Sequence, residues 1–377
     1  MRGRSLCVGM WLLVSVLIGC TPTPSPSPSI TPPPTPADFV PWPDIVWRVA
    51  DLPFRPPGPS VERVVAVTAT DAGFVAVGYR ETDAVRDGTI WWSIGGDVWE
   101  LVDDPIFAGV ELVDVSPAPG GLVALGVASV DRPQAVLFHS TDGRAWERLA
   151  VPPGGVDTYA TSLAGSDAAV LAAGSDADGS AAVWRSVDGQ SFERLQLSGA
   201  AGDAVVTPRV VAGGYVALGS AGKAPALLRS TDGGASWTST PIDQARDVVG
   251  TRLEIGRWGW VVQGLWAPGC SPMGSCGGQS IAWWSGDGTV WGRLPGEGSP
   301  ISNGASIVVP AGEHGLLAID GANTWSSPDG WAWRSLPEPG DGSIVIDHAV
   351  VRGDVIVAVG AEYGEDGSSV GRILVAK

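Results

Sequence analysis

Lysine is almost missing from this chain. Its 377 residues include only Lys223 and Lys377, and the formal net charge is −17. Residues 1–37 carry Arg2 and Arg4 and no acid, so the rest of the chain sets 21 basic residues against 40 acidic ones. A body that acidic is unsuited to phosphate backbones, which argues against nucleic-acid binding. The charge instead favours a soluble monomer. Histidine is just as sparse. His139, His314 and His348 are scattered, and no two share metal-ligand spacing, so no metal site is expected. The chain has no phosphate-binding glycine loop and no G-x-S-x-G nucleophile turn, and no cofactor is expected. Helix-forming stretches are hard to find. Gly (53), Pro (31) and Trp (18) abound instead, which is turn-rich and strand-rich chemistry.

There are only four cysteines, and they divide by position. Cys7 lies in an N-terminal targeting segment, where "MRGRS" precedes the apolar run "LCVGMWLLVSVLIG". That run is too short to span a membrane comfortably. It ends in Leu17-Ile18-Gly19-Cys20, which resembles the lipobox of bacterial lipoproteins. The resemblance implies that residues 1–19 are a signal peptide and that Cys20 receives a diacylglycerol and becomes the mature N-terminus. Two or three acyl chains then anchor the protein to a membrane, facing outside the cytoplasm. Residues 20–43 form a linker, and "TPTPSPSPSITPPPTPA" (21–37) favours extended polyproline geometry. Cys270 and Cys276, in "APGCSPMGSC", read as a disulfide in such a compartment. Metal binding is the alternative, though no histidine lies nearby.

The body, residues 44–377, repeats itself. One phrase appears as Ser93–Trp99, Ser140–Trp146, Ser186–Phe192, Ser230–Trp237, Ser285–Trp291 and Ser327–Trp333. Its aromatic residue recurs at intervals of 47, 46, 45, 54 and 42 residues. A second phrase keeps the same period: "GFVAVG" ends at Gly78, "GLVALG" at Gly126, "VLAAG" at Gly174, "GYVALG" at Gly219, "GWVVQG" at Gly264, "GLLAID" at Asp320 and "VIVAVG" at Gly360. A period near 45 residues with several short strands per unit predicts an all-β, seven-bladed β-propeller of four-stranded antiparallel blades. In the second unit the strands fall near 111–116, 122–126, 135–140 and 145–149. Seven copies of one phrase against six of the other show where the ring is cut. An N-terminal strand in "DIVWRVADLP" (44–53) completes the last blade, closing the ring and removing open sheet edges.

The Ser-Asp-Gly-aromatic phrase resembles the Asp-box, or BNR, repeat of sialidase-like propellers, S-x-D-x-G-x-x-W. Ser230–Trp237 has the full spacing, four copies are one residue shorter, and the first has Gly95 where Asp is expected. The residues have structural work at a hairpin between third and fourth strands. Asp142, Asp188, Asp232, Asp287 and Asp329 accept bonds from turn amides, and the glycine supplies positive φ. Trp146, Phe192, Trp237, Trp291 and Trp333 bury apolar surface. A ligand is expected at the opposite end, on the loops joining second to third strands. Arg80, Glu81 and Asp83 of the first unit lie there, beside Tyr363 and Glu365 of the last. A sialidase would also carry an Arg-Ile-Pro motif, and "PFRPPG" offers only Arg55 followed by Pro. No tyrosine falls in a nucleophile context, and no catalytic residue is assigned. Two readings follow: a membrane-anchored binding or scaffolding module for a glycan or protein ligand, or a glycoside hydrolase of the sialidase superfamily.

Overall fold

The computed structural model describes residues 35, 37–53, 61–129, 133–178, 180–197, 206–221, 224–243, 248–256, 259–266, 279–294, 300–301, 307–321, 323–340 and 343–377. Cys20, the linker up to residue 34, Arg55, Cys270 and Cys276 lie outside them. The protein is all-β. Helical structure among the described residues is limited to short 3-10 turns such as Pro105–Phe107 and Gly312–His314.

Five separate four-stranded antiparallel sheets are joined by one eight-stranded sheet. The larger sheet divides in two at a single parallel pairing, Val61 with Ser369. The described strands therefore form seven four-stranded units, here called blades 1 to 7. Blade 1 comprises Val61–Thr70, Gly73–Thr82, Val85–Ser93 and Glu100–Val102. The innermost strands of blades 2 to 6 are Val110–Ala118, Thr158–Ser166, Val206–Val211, Val248–Gly256 and Ile307–Pro310. Blade 7 comprises Ile344–Arg352, Val355–Tyr363, Ser369–Ala376 and, from the far end of the chain, Trp47–Val49. Each innermost strand touches the next, and that of blade 7 touches that of blade 1, so the ring is closed. This is the propeller that the repeat period predicts.

Apolar side chains fill the seven spaces between blades. The phrase aromatic of each blade packs back onto the preceding one. Trp146 of blade 2 sits among Val75, Val77 and Trp92 of blade 1, and Trp237 of blade 4 among Leu171, Val183 and Leu195 of blade 3. Burying a large aromatic at each junction contributes about 1.5–3 kcal/mol per side chain.

The seam between blades 7 and 6 lacks such a phrase, and the N-terminal segment supplies the equivalent. Trp47 to Val49 pair with Ala376 to Leu374. The docked segment begins earlier than residue 44, however. Val40 N donates to Glu313 O (3.0 Å), and Trp42, 3% exposed, stacks on His314 of blade 6 (4.0 Å between centroids, 22° between planes). His314 in turn contacts Val40 O through Nδ1 (2.8 Å) and Asp354 through Nε2 (2.9 Å). Beyond the strand, Ala50 N donates to Ile373 O (2.8 Å) and Asp51 bridges to Val98 of blade 1. Residues 40–51 thus form a strap across blades 6, 7 and 1. The sequence reading missed its first part because Trp42 lies among prolines in "FVPWPD", which carries no strand alternation.

One irregularity repeats around the ring. The innermost strand slips register by one residue between Val64 and Ala66, Leu112 and Asp114, Ala160 and Ser162, Val206 and Pro208, Gly250 and Arg252, and Ile346 and His348. Each is a β-bulge, which bends the strand and re-aims side chains. It also explains the glycine that ends the second repeated phrase in blades 1, 3 and 7. A Cβ on Gly78 would lie 1.9 Å from Arg63 O, one on Gly174 2.1 Å from Tyr159 O, and one on Gly360 1.9 Å from Val345 O. The bulged backbone presses against its neighbour there, and only glycine fits. Blade 6 has Asp320 instead of that glycine, and its described pairing, Ile307 to Pro310 against Ile319 to Leu316, runs without a slip.

Candidate functional site

The bulges surround an axial channel of about 470 Å³ that all seven innermost strands line. Its lining residues begin at the bulge and run toward the turn between first and second strands: 65–68 in blade 1, 113–116 in blade 2, 348–351 in blade 7. Valine walls alternate with a polar set in which Asp114, Ser162, Arg252 and His348 each stand directly after a register slip.

The charged groups of the channel form a connected cluster. Asp114 Oδ2 accepts from Leu163 N of blade 3 (2.6 Å) and Oδ1 from Val115 N (2.8 Å). Burial nevertheless dominates and pushes its carboxyl up to about 6, against the pull of those amides and of Arg209 and Arg252. Arg209 of blade 4 donates to Glu254 Oε1 of blade 5 (3.0 Å) and to Pro208 O (2.9 Å). Arg252 makes no direct hydrogen bond or ion pair among the described residues; burial works against its charge, attraction to Glu254 offsets part of that, Arg209 adds repulsion and Asp114 a further attraction. His348 is pushed down to about 3, first by burial and then by Arg252 and Arg209, so its ring is neutral near pH 7. Among the described residues its Nδ1 has no hydrogen-bond partner, nor do the buried hydroxyls of Ser162 and Thr207. Thr207 also holds φ at 53°, a strained value for a β-branched residue.

None of the five loop residues singled out from the sequence lines this channel. Those loops do meet at the seam between blades 7 and 1. Arg63 pairs with Asp347 (2.6 Å) and lies over the Tyr363 ring at 5.8 Å. Arg80 Nε stands 3.7 Å from buried Glu62. Arg86 bridges Glu81 (2.8 Å) and Glu111 of blade 2, over the Tyr79 ring at 4.9 Å. Asp83 occupies a two-residue hairpin turn at φ 51°, and Glu365 is exposed. Arg63, Arg80 and Arg86 are thus engaged in ion pairs on a rim, with Asp83 and Glu365 in exposed loops beside them.

The channel residues were missed because a strand of small apolar residues reads as core. The available signal was a charge inside an otherwise apolar inner strand, as in "LVDVS", "TRLEI" and "VIDHAV". A buried charge in such a strand calls for a partner or a ligand.

The Ser-Asp-Gly turns lie at the blade periphery. Ser140 Oγ accepts from Gly143 N (2.8 Å), Asp142 Oδ1 accepts from Arg144 N (2.8 Å) and Ala145 N (2.9 Å), and Trp146 Nε1 donates to Gly143 O (3.0 Å). Asp188, Asp232, Asp287 and Asp329 hold their turns in the same way; Trp237 and Trp333 repeat the Nε1 bond of Trp146, while Trp291 and, in blade 3, Phe192 take its place in the packing alone. Where Gly95 replaces the aspartate, the Ser93 and Trp99 bonds persist (2.9 and 2.7 Å). Accepting turn amides holds the Asp142 and Asp188 carboxyls below the usual carboxylate range, and the Ser236 hydroxyl, with its amide, does the same for Asp232. One further cluster, Glu313, His314 and Asp354, has metal-like spacing, but both His314 nitrogens are engaged by Val40 and Asp354.

No protein-family model matches the chain, and no curated protein matches it. Solved structures do. The chain is similar to a streptogramin B lyase (TM-score 0.56, 8% identity, covering 89% of this chain and 98% of that one). It is similar to YCF48 from Cyanidioschyzon merolae (TM-score 0.52, 15% identity, 87% and 98%) and to the WD40 β-propeller domain of Doa1 (TM-score 0.50, 15% identity, 85% and 94%). At these identities the likeness is one of fold, and a fold hosts many activities.

Proposed function

We propose that the chain is a lipoprotein held at a membrane through Cys20, with its propeller outside the cytoplasm acting as a monomeric binding module for a glycan or protein ligand. The observation that carries binding over catalysis is that the acids of the channel are already engaged. Asp114 has both oxygens on backbone amides, Glu254 is paired with Arg209, and no tyrosine lines the cavity. Paired-carboxylate hydrolysis needs one free acid and one free carboxylate on either side of the reacting bond. The Ser-Asp-Gly turns support an Asp-box kinship, which is compatible with binding proteins as much as with enzymes.

Two measurements test this. A glycan array combined with a panel of fluorogenic glycosides, run on the full chain in detergent, should give binding without turnover. Cys20→Ala should release the protein from membranes or leave it unprocessed; unchanged detergent partitioning of the mature form refutes the anchor. The sialidase-superfamily reading keeps one supporting observation, the Asp114 carboxyl near 6, which suits a proton donor. Fluorophore release by the wild type that Asp114→Asn abolishes would establish that reading instead.

A further inference from the structure

We infer that a pocket between blades 4 and 5, away from the axis, is a binding site for a neutral pyranose seated against Trp260. The inference rests on the reading of the propeller as a binding module and names a site and a ligand class within it.

The repeat supplies the comparison. In every blade one residue of the second phrase pairs with the turn serine, or in blade 7 with Ala376. Six of these residues, Phe74, Leu122, Val170, Tyr215, Leu316 and Ile356, are at most 7% exposed. The seventh is Trp260, and it is partly exposed. A pocket of about 330 Å³ opens beside it and shares no lining residue with the axial channel. A large indole left open where the other blades bury smaller side chains is surface available for a contact.

Both blades hold the indole in place. Arg229 of blade 4 lies over the ring at 5.2 Å and donates Nη2 to Asp287 O of blade 5 (3.0 Å). Gly288 follows in the same turn at φ +77°, and a Cβ there would lie 2.7 Å from the six-membered ring. Only glycine lets the turn come so close. Trp260 also packs, with Val211 and Ile255, on the apolar junction between the two blades. Rigid strands and hydrogen-bonded turns therefore set the pocket, which is the geometry of a preorganised site.

Charge and polarity narrow the ligand. Arg229 brings one positive charge and Asp287 one negative. The Thr289 hydroxyl and amide hold the Asp287 carboxyl below the usual carboxylate range, so it is ionised near pH 7. One charge of each sign favours an uncharged ligand, and the acidity of the whole chain weighs further against an anion. A purely apolar group would cover Arg229 and Asp287 without replacing their water. A pyranose satisfies both demands. Its C–H face covers Trp260, Val211 and Ile255. Its hydroxyls, each a donor and an acceptor, reach the Arg229 guanidinium, the Asp287 carboxylate and the exposed Thr231 hydroxyl. A guanidinium has five donors, more than the bond to Asp287 O uses. A volume of about 330 Å³ is at the small end of ligand pockets and suits a single sugar residue.

The test is binding of the methyl glycosides of D-galactose, D-mannose, N-acetyl-D-glucosamine and L-fucose, with D-glucuronate and indole for comparison. The full chain is used in a detergent that has no sugar headgroup, and saturation-transfer NMR reads the result. At least one neutral glycoside should bind saturably and more tightly than glucuronate or indole. Trp260→Leu installs the residue that blades 2 and 6 bury at this position, so it should fold, and it should weaken the glycoside about tenfold, the scale of one aromatic contact. Thr231→Val installs the residue that blade 3 carries as Val187. It should leave the melting temperature unchanged and weaken binding about 3- to 10-fold, the scale of one hydrogen bond. No saturable glycoside binding, binding that folded Trp260→Leu or Thr231→Val leaves intact, or glucuronate or indole bound as tightly as the best glycoside overturns the inference. A glycan or protein ligand bound equally by wild type and both variants overturns it while preserving the binding-module reading. Glycoside turnover alongside Trp260-dependent binding overturns that reading and leaves the site standing.

Discussion

Replacing Trp42 by alanine tests whether the strap closes the ring. The residue lies before the paired strand, so its loss breaks no sheet hydrogen bond. It removes a buried indole, its stack on His314, and the support that holds its carbonyl against Arg334 Nη2 (2.9 Å). Truncating a buried Trp to Ala costs about 3–5 kcal/mol, and the aromatic stack contributes about 0.5–1.5 kcal/mol of that order. Unfolding entropy near 2.1 cal/mol/K per residue, taken over the folded body, converts about 4 kcal/mol into a fall of about 6 °C. Differential scanning calorimetry of the full chain in detergent measures it, with Trp42→Phe as the milder companion. The reasoning predicts a single cooperative transition lowered by about that amount, because the seam joins blades 6 and 7. If Trp42→Ala melts within about 1 °C of the wild type, the strap before Val46 is dispensable and the strand Trp47–Val49 alone closes the ring.

Other outcomes follow from the same structure. Trp146→Ala should cost about 3–5 kcal/mol by opening a cavity between blades 1 and 2, while Asp142→Ala should cost only about 1 kcal/mol, because its amide partners are exposed and the Gly95 turn already forms without an aspartate; chemical denaturation of both variants orders them. Gly360→Ala should destabilise by about 1–3 kcal/mol through its clash with Val345 O, whereas Gly353→Ala meets nothing within 4 Å and pays only for its positive φ; equal losses would refute the bulge argument. His348, pushed down to about 3 in the fold against 6.5 in the unfolded chain, contributes stability that is present above pH 6.5 and is lost as pH falls toward 3. His348→Gln should therefore melt with a flatter pH profile between 7 and 4, and a profile parallel to the wild type would show that the ring does not titrate as described.

The sequence carried the architecture because the fold is periodic. Seven copies of one phrase and six of another marked the blades and the cut in the ring, and the observed strand from Gly121 to Ser129 contains the segment read from "GLVALG". The glycine ending that phrase was visible too, but its meaning was not, since a close backbone approach involves a partner strand that spacing alone does not show. The channel was the least legible part. Asp114, Arg252 and His348 come from blades that are far apart in the chain, and each looks like an isolated charge in a core strand until a register slip turns it inward. Sequence reasoning placed a ligand on the charged loops, where Arg80 and Tyr363 are conspicuous; in the structure those residues make contacts at the seam of blades 7 and 1 and do not line the channel.

The strap has a consequence in time. Residues 40–51 leave the ribosome first among those of the ring, yet their partners on Ser369–Ala376 are the last of it to be made. Once blade 6 is made, Val40 and Trp42 have their partners on it, but Trp47 to Val49 have none until the final strand appears, so the ring stays open up to that point. Completion of the ring is therefore a check on the length of the chain: a product that stops even one strand short keeps two open edges, and so offers proteases and chaperones a signal that the finished molecule does not.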